Sequence, residues 1–435
     1  MFKTIANAFK VKDVRRKLLL TLLLLLIYRI GCWIPLPGID LSIFQDITGN
    51  GEAEGNDFLA LLSAVSGGAL ANGALLALGV SPYITASIII QLMTIAIPSL
   101  ERLSKEGGEE GRKKINLITR WIALFLSLAQ AVGIIVAFGD YINPDVLWAG
   151  APAWLMGVCL VILLTAGGMF TVWLGERITD LGIGNGMSLL IFVGILSSAM
   201  SSIMTAITQI GQDIDYLWNI LIFVVALLLV FTFIVLMDLA ERRIPVQYAK
   251  QIKGRKMYGG QSTYIPVKVN GSGVLPIILA TALVTFPQLI SSIFWPESNW
   301  YSEVLGTDSW AYAALVSLFI LFFAYFYAQI TFNSDDISRR IQQNGGFIPG
   351  IRAGKPTTDY LKRISHRITL FGAIFLAIIA LVPSYIFKAI AVGNADSIVT
   401  AFSATGLMII VSVALEFDKR LDAQLMMRSY KGFLK

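Results

Sequence analysis

Long apolar runs separated by short polar stretches dominate this chain. The runs are roughly 18–25 residues long, enough for a helix to cross ~30 Å of hydrocarbon. They lie at Leu18–Trp33, Ala77–Ile97, Ile115–Phe138, Ala153–Trp173, Ile183–Ile207, Leu217–Met237, Gly273–Phe294, Trp310–Phe332, Ile368–Phe387 and Ile398–Leu415, which predicts ten membrane-spanning helices. Two runs open alike. Gly79-Val80-Ser81-Pro82 begins one, Gly273-Val274-Leu275-Pro276 begins the other, and Ile84 and Ile278 follow at the same offset. A Gly-x-x-Pro break costs a helix hydrogen bonds that lipid does not replace. Matched breaks in two halves of a membrane protein point to a path between them. Ten spans divide as five plus five, and an odd number per half predicts two halves of inverted topology. The expected boundaries are residues 1–215, 216–418 and a tail at 419–435.

One apolar stretch is not counted as a span. Asp57–Leu76 is interrupted by Gly67, Gly68 and Gly73. It reads either as a surface or re-entrant helix, or as a movable segment filling a cavity, because small residues seat and leave with little loss of packing.

Composition agrees with a membrane protein: 56% of residues are hydrophobic and only 14% are charged. The net charge of +6 is arranged by side. Lys and Arg crowd the segment before the first span, the second, sixth (238–272) and eighth (333–367) loops, and the tail, whereas the odd-numbered loops carry mostly Asp and Glu. The positive-inside rule then predicts both termini in the cytoplasm. Basic residues followed by Leu18–Leu26 look like a signal peptide, but no small-x-small site follows, so a retained first helix is expected. Cys32 and Cys159 both fall within predicted spans and imply no disulfide framework.

Catalytic and nucleotide-binding patterns are missing from the sequence. There is no Walker-type loop, no Gly-x-Ser-x-Gly and no His-Glu-x-x-His. His366, the single histidine, sits in a basic loop. Gly182-Ile-Gly-Asn-Gly186 reads as a tight turn entering the fifth span rather than as a phosphate loop. No cofactor or metal is implied. Charges cluster at span ends, and Arg29, near the end of its span, is expected to snorkel toward the interface. A transporter binding a charged solute needs charge near the midplane. A pore lined by apolar residues fits better.

In order along the chain come Arg29-Ile-Gly, Ile34-Pro-Leu-Pro-Gly-Ile-Asp40, Ser66-Gly-Gly-Ala-Leu70 and the long run Leu78-Gly-Val-Ser-Pro-Tyr-Ile-Thr-Ala-Ser-Ile-Ile-Ile-Gln-Leu92. Trp173-Leu-Gly-Glu-Arg-Ile-Thr179, Gln261-Ser-Thr263, Lys268-Val-Asn270 and Gly346-Phe-Ile-Pro-Gly-Ile-Arg352 follow. With these motifs the chain resembles, essentially end to end, the SecY family of channel subunits of the bacterial protein translocase. The resemblance implies an all-α polytopic membrane protein, with ten helices forming a clamshell of two inverted halves around an hourglass pore. It implies a constriction ring of Val80, Ile84, Met187, Ile191, Ile278 and Ile409. It places the plug in about 57–76, with Ser66, Gly67, Gly68, Ala69 and Leu70 at its core. It assigns a lateral gate to the second and seventh helices, with Gln91, Gln130 and Thr281 as its polar groups. It assigns docking of the ribosome and the SecA motor to Arg255, Lys256 and Arg352.

The partners implied are SecE, SecG, SecA, the ribosome, signal sequences and nascent polypeptides, and membrane lipid. The location implied is the bacterial cytoplasmic membrane. The sequence departs from the family pattern at Gln342-Gln343, where Lys-Lys is common, at Ala353, where proline is usual, and across Ser403–Ile409. The expected function is a passive protein-conducting channel and not an enzyme. The alternatives are an inverted-repeat secondary transporter and an intramembrane protease, for which neither a midplane charge nor a catalytic cluster is visible.

Overall fold

In a computed structural model of the chain, the residues described here are 2–38, 66–70, 72–105, 107–137, 152–210, 215–248, 251–253, 256–258, 262–271, 273–294, 309–390 and 404–432. The chain is mostly helical. In order it runs α1 (Phe2–Lys10), α2 (Lys12–Gly31), α3 (Ser81–Ala96), α4 (Pro98–Lys105), α5 (Gly108–Ala137), α6 (Ala153–Leu181), α7 (Gly186–Ile210) and α8 (Asp215–Leu239). After β1 (Glu241–Tyr248), β2 (Gln251–Lys253), β3 (Lys256–Tyr258) and β4 (Ser262–Lys268) come α9 (Leu275–Phe294), α10 (Trp310–Thr331) and α11 (Ser334–Gln343). The chain closes with β5 (Gly346–Phe347), α12 (Lys355–Ile390) and α13 (Ala404–Gly432). Each predicted apolar run overlaps one of these helices. By length and apolar content alone, five helices among the described residues qualify as membrane crossings, or six if the bent pair α3–α4 is one span. That pair turns through 104° at Ile97, whose backbone is extended, just before Pro98. A proline disfavours the helical conformation of the residue ahead of it, so the turn falls where the sequence forces it.

The Gly-x-x-Pro motifs do not break helices; they start them. Ser81 and Leu275 are the first residues of α3 and α9, so Pro82 and Pro276 fall at second positions. The first N–H groups of a helix have no internal acceptor, so a proline there loses no hydrogen bond. Preceding each start is a glycine in the left-handed region, Gly79 at φ 54° and Gly273 at φ 65°.

Internal contacts divide the chain into two units. One comprises Met1–Phe223, Thr285–Ser309 and Phe387–Lys435; the other comprises Val224–Val284 and Trp310–Ile386. The first unit has a core of Leu36, Leu70, Ala77, Leu78, Ala131, Ile134, Ile135, Met156, Leu160 and Leu164, where α5, α6 and the turn segment before α3 meet. A second cluster of Ala8, Val14, Leu18, Ile183 and Leu421 joins α1, α2 and α13.

The second unit contains what the all-α expectation omits. β4, β1 and β5 form an antiparallel sheet, and β2 and β3 a separate hairpin. In β1, Ile244 and Val246 are buried while Arg243, Pro245 and Gln247 are exposed, the two-residue period of a half-buried strand. The buried face packs with Val267, Ile341, Ile348 and Leu361, so the segments 238–272 and 333–367 share one small core with the start of α12. Two polar contacts fix the base of the sheet. Asn270, buried, donates from Nδ2 to Asp238 Oδ1 at 3.1 Å, and the Val269 N–H reaches the Ala240 carbonyl at 3.0 Å.

Candidate functional site

Apart from an isolated bridge at Ala74, the described residues among 67–80 are neither helix nor strand but a chain of turns carried into the interior of the first unit. Ser66, Ala69, Leu70, Ala74, Leu76, Ala77, Leu78 and Val80 are all buried. Backbone groups in such a place need partners, because irregular chain is stable at membrane depth only when enclosed by protein or water. They find them. Leu36 N–H donates to the Gly73 carbonyl at 2.8 Å, and Leu75 N–H to the Ile34 carbonyl at 2.8 Å, so the chain after α2 holds the turns as a short bridge. Small residues on α6 let the turns approach closely: a Cβ at Gly167 would stand 2.0 Å from the Leu75 carbonyl oxygen.

The predicted plug core enters this segment first. Leu70 lies in the apolar core with α5 and α6, and its N–H donates to Ser66 Oγ at 3.3 Å. Gly67, at φ 73°, touches α7: a Cβ there would sit 2.7 Å from Gly194 Cα. Arg29 does not snorkel away, as its position in the span predicts. It is half-buried, and its Nη1 donates to the Gly67 carbonyl at 2.8 Å. Residues 57–65 and 71 of the predicted plug lie outside the described residues.

The predicted ring positions of the first unit stand on three elements. Val80 is buried just before α3, and its carbonyl accepts from the N–H groups of Tyr83 and Ile84 at 3.1 Å each. Ile84 is half-buried one turn on. Ile191 is buried on α7, one turn before Gly194, and Ile409 is buried on α13. Met187, half-buried on α7, lies against α6, where a Cβ at Gly175 would meet its Sδ at 2.4 Å. Ile278, in the second unit, is half-buried on α9.

The predicted gate residues differ in setting. Gln91 is exposed on α3, its Nε2 3.4 Å from Ser87 Oγ. Gln130 is half-buried on α5, and its Oε1 is buried without a hydrogen bond among the described residues. Thr281 Oγ1 returns to its own helix at the Ile277 carbonyl, 3.0 Å away. Of the docking residues, Arg255 lies outside the described residues, Lys256 begins β3, and Arg352 is exposed between Gly350 and Gly354, both at positive φ. The loop is held behind it: Thr357 Oγ1 donates to the Arg352 carbonyl at 2.8 Å, and Ser338 Oγ to the Gly354 carbonyl at 3.1 Å.

Two polar arrangements are not evident from sequence spacing. Arg120 on α5 donates from Nε to Glu176 Oε1 on α6 at 2.6 Å, within the Trp173–Thr179 motif. The exposed face of the sheet carries a second. Arg243 donates to Glu241 at 2.8 Å, which raises its already high pKa, and its guanidinium covers the Tyr264 ring at 4.8 Å. Among the described residues no group of His, Cys, Asp and Glu is placed to hold a metal ion.

A family model described as SecY matches residues 74–417. Similar curated proteins include protein translocase subunit SecY of Streptomyces galbus, 41% identical with both chains covered in full. The protein of the same description from Mycobacterium tuberculosis (strain ATCC 25618 / H37Rv) is 39% identical, again over the whole of both chains. A solved structure described as that of a protein conducting channel is similar in fold, with a TM-score of 0.62 at 20% identity over 93% of this chain and 91% of that one. A Sec61 channel in a canine ribosome complex is similar too, with a TM-score of 0.56 at 18% identity over 93% and 91% of the two chains.

Proposed function

This chain belongs to the SecY family, and from that premise we propose that it is the protein-conducting channel of a translocase, a multi-pass membrane protein and not an enzyme. Unfolded secretory chains cross through it, and membrane segments leave it sideways. The observation that carries the reading is the buried segment of turns within 67–80, whose own residues are small and apolar and include none of the binding charges a solute transporter needs. Identity of 41% along the full length of a translocase subunit supports it.

In this reading ten helices form two inverted halves around the pore. Val80, Ile84, Met187, Ile191, Ile278 and Ile409 form its constriction. Apolar side chains offer water no partners, so a narrow ring of them dewets and blocks ions, yet yields around an extended polypeptide. Met187, with its flexible thioether, adapts to either state. The segment around Ser66–Leu70 is the plug, and α3 and α9 are the lips of a gate to lipid, with Gln91, Gln130 and Thr281 as its polar groups. Lys256, Arg255 and Arg352 form the docking surface. Ribosomal RNA offers phosphates to such cations, and an ATP-driven motor supplies the work that a chain without a nucleotide site does not. SecE, SecG and SecA are the proposed partners. The bacterial cytoplasmic membrane, with both termini inside, is the proposed location.

The test is a photoreactive residue at position 84 during translocation of a secretory precursor. Crosslinks to the precursor in transit are expected. Their absence, with crosslinks only to lipid, overturns the pore assignment.

A further inference from the structure

We propose that Arg29 is the positioning residue that latches the plug in its closed place; the inference rests on the channel reading above. An arginine within an apolar helix is costly and needs a reason to be there. Here the guanidinium on α2 meets the backbone of a segment 38 residues away, with Nη1 2.8 Å from the Gly67 carbonyl. That carbonyl belongs to a turn, so no helix or sheet satisfies it. Other contacts hold the same point. Gly67 is wedged against Gly194 of α7, and Ser66 rests against Gly79, where a Cβ would lie 3.5 Å from Ser66 Cβ. Cys32 Sγ, one turn beyond Arg29, lies 4.0 Å from the Ser66 carbonyl, and the Arg29 guanidinium is steadied over the Trp33 ring at 6.0 Å.

The arrangement favours one state. While the plug is seated, the cation and the carbonyl satisfy each other. When the plug leaves, both need water, which only an opened pore supplies. Ile191 stands one turn from Gly194 on the same helix, so the latched point adjoins a proposed ring position. Lysine reaches the same carbonyl with a point charge, while alanine and glutamine remove the charge.

The experiment measures resting ion conductance of the whole channel complex in planar bilayers. Its variants are Arg29→Ala, Arg29→Gln, Arg29→Lys, a chain lacking residues 58–67, and that deletion combined with Arg29→Ala. Loss of a charge-assisted hydrogen bond is expected to raise resting conductance about tenfold or more in the alanine and glutamine variants. Lysine is expected to restore tightness to within about threefold. In the deleted chain, Arg29→Ala is expected to add nothing, because the acceptor is gone. A leaky deletion with tight alanine and glutamine variants overturns the latch alone. A further rise in leakage on adding Arg29→Ala to the deletion, as large as in the intact chain, also overturns it, by assigning Arg29 a general packing role. A deletion as tight as the intact channel overturns the plug reading and the latch with it.

Discussion

Ile84 and Ile278 occupy the same place in two copies of one turn. Ile84 N–H donates to the Val80 carbonyl at 3.1 Å, and Ile278 N–H to the Val274 carbonyl at 3.2 Å, each four residues after a carbonyl that follows a left-handed glycine. The N–H three residues on, of Tyr83 or Ile277, shares the same carbonyl at 3.1 Å. Two distant segments thus build the same helix start and present isoleucine at the same point of its first turn.

If those isoleucines seal a pore, Ile84→Ser and Ile278→Ser admit water to the constriction. Resting conductance in bilayers is expected to rise several-fold in each and further in the double variant. Conductance equal to that of the parent removes both from the seal.

The left-handed glycines are expected to resist substitution equally. A Cβ at Gly273 meets nothing within 4 Å, and at Gly79 its nearest neighbour is 3.5 Å away, so only backbone strain is added. Gly79→Ala and Gly273→Ala are each expected to cost about 1–2 kcal/mol, measured as a lowered unfolding midpoint in detergent. A much larger loss at either would mean that the side chain, not the backbone, sets the cost.

Asn270 ties the sheet to the end of α8. Replacing it with Ala removes a buried hydrogen bond to Asp238, at an expected cost of about 1–3 kcal/mol. Limited proteolysis is expected to cut within 249–261 faster than in the parent, with unchanged cleavage elsewhere. Unchanged cutting would show that the apolar core of Ile244, Val246 and Val267 holds the sheet alone.

Arg352→Glu is expected to cripple motor-driven secretion with the protein still folded in the membrane. Thr357 and Ser338 hold the loop through backbone carbonyls, not through the arginine side chain. Normal secretion by that variant would free Arg352 from any docking role.

How far the sequence reaches depends on the range of each interaction. The helices are legible because apolar length is a local property, and the polar breaks between runs mark their ends. The Gly-x-x-Pro motifs are visible as well, but their meaning is not. The same letters read as a broken helix until Ser81 and Leu275 are seen to be first residues. The sheet is harder to see. Ile244 and Val246 stand two apart, but Pro245 lies between them, and charge at Arg242, Arg243 and Lys268 dominates the segment and reads as a solvated loop. The polar contacts of the candidate site leave no local trace at all.

By itself, then, the sequence determines a membrane protein of repeated apolar helices with matched helix starts, because hydrophobic length and glycine-proline chemistry act within a turn or two of the chain. The tertiary structure decides what faces what. Arg29 meets Gly67, Arg120 meets Glu176 and Asn270 meets Asp238 across 38, 56 and 32 residues. The first and last pairs satisfy a charge and a buried polar group that burial leaves costly on its own, while the second joins two partly exposed charges. The partner is set by which polar groups the packing brings within about 3 Å, and no local spacing encodes that.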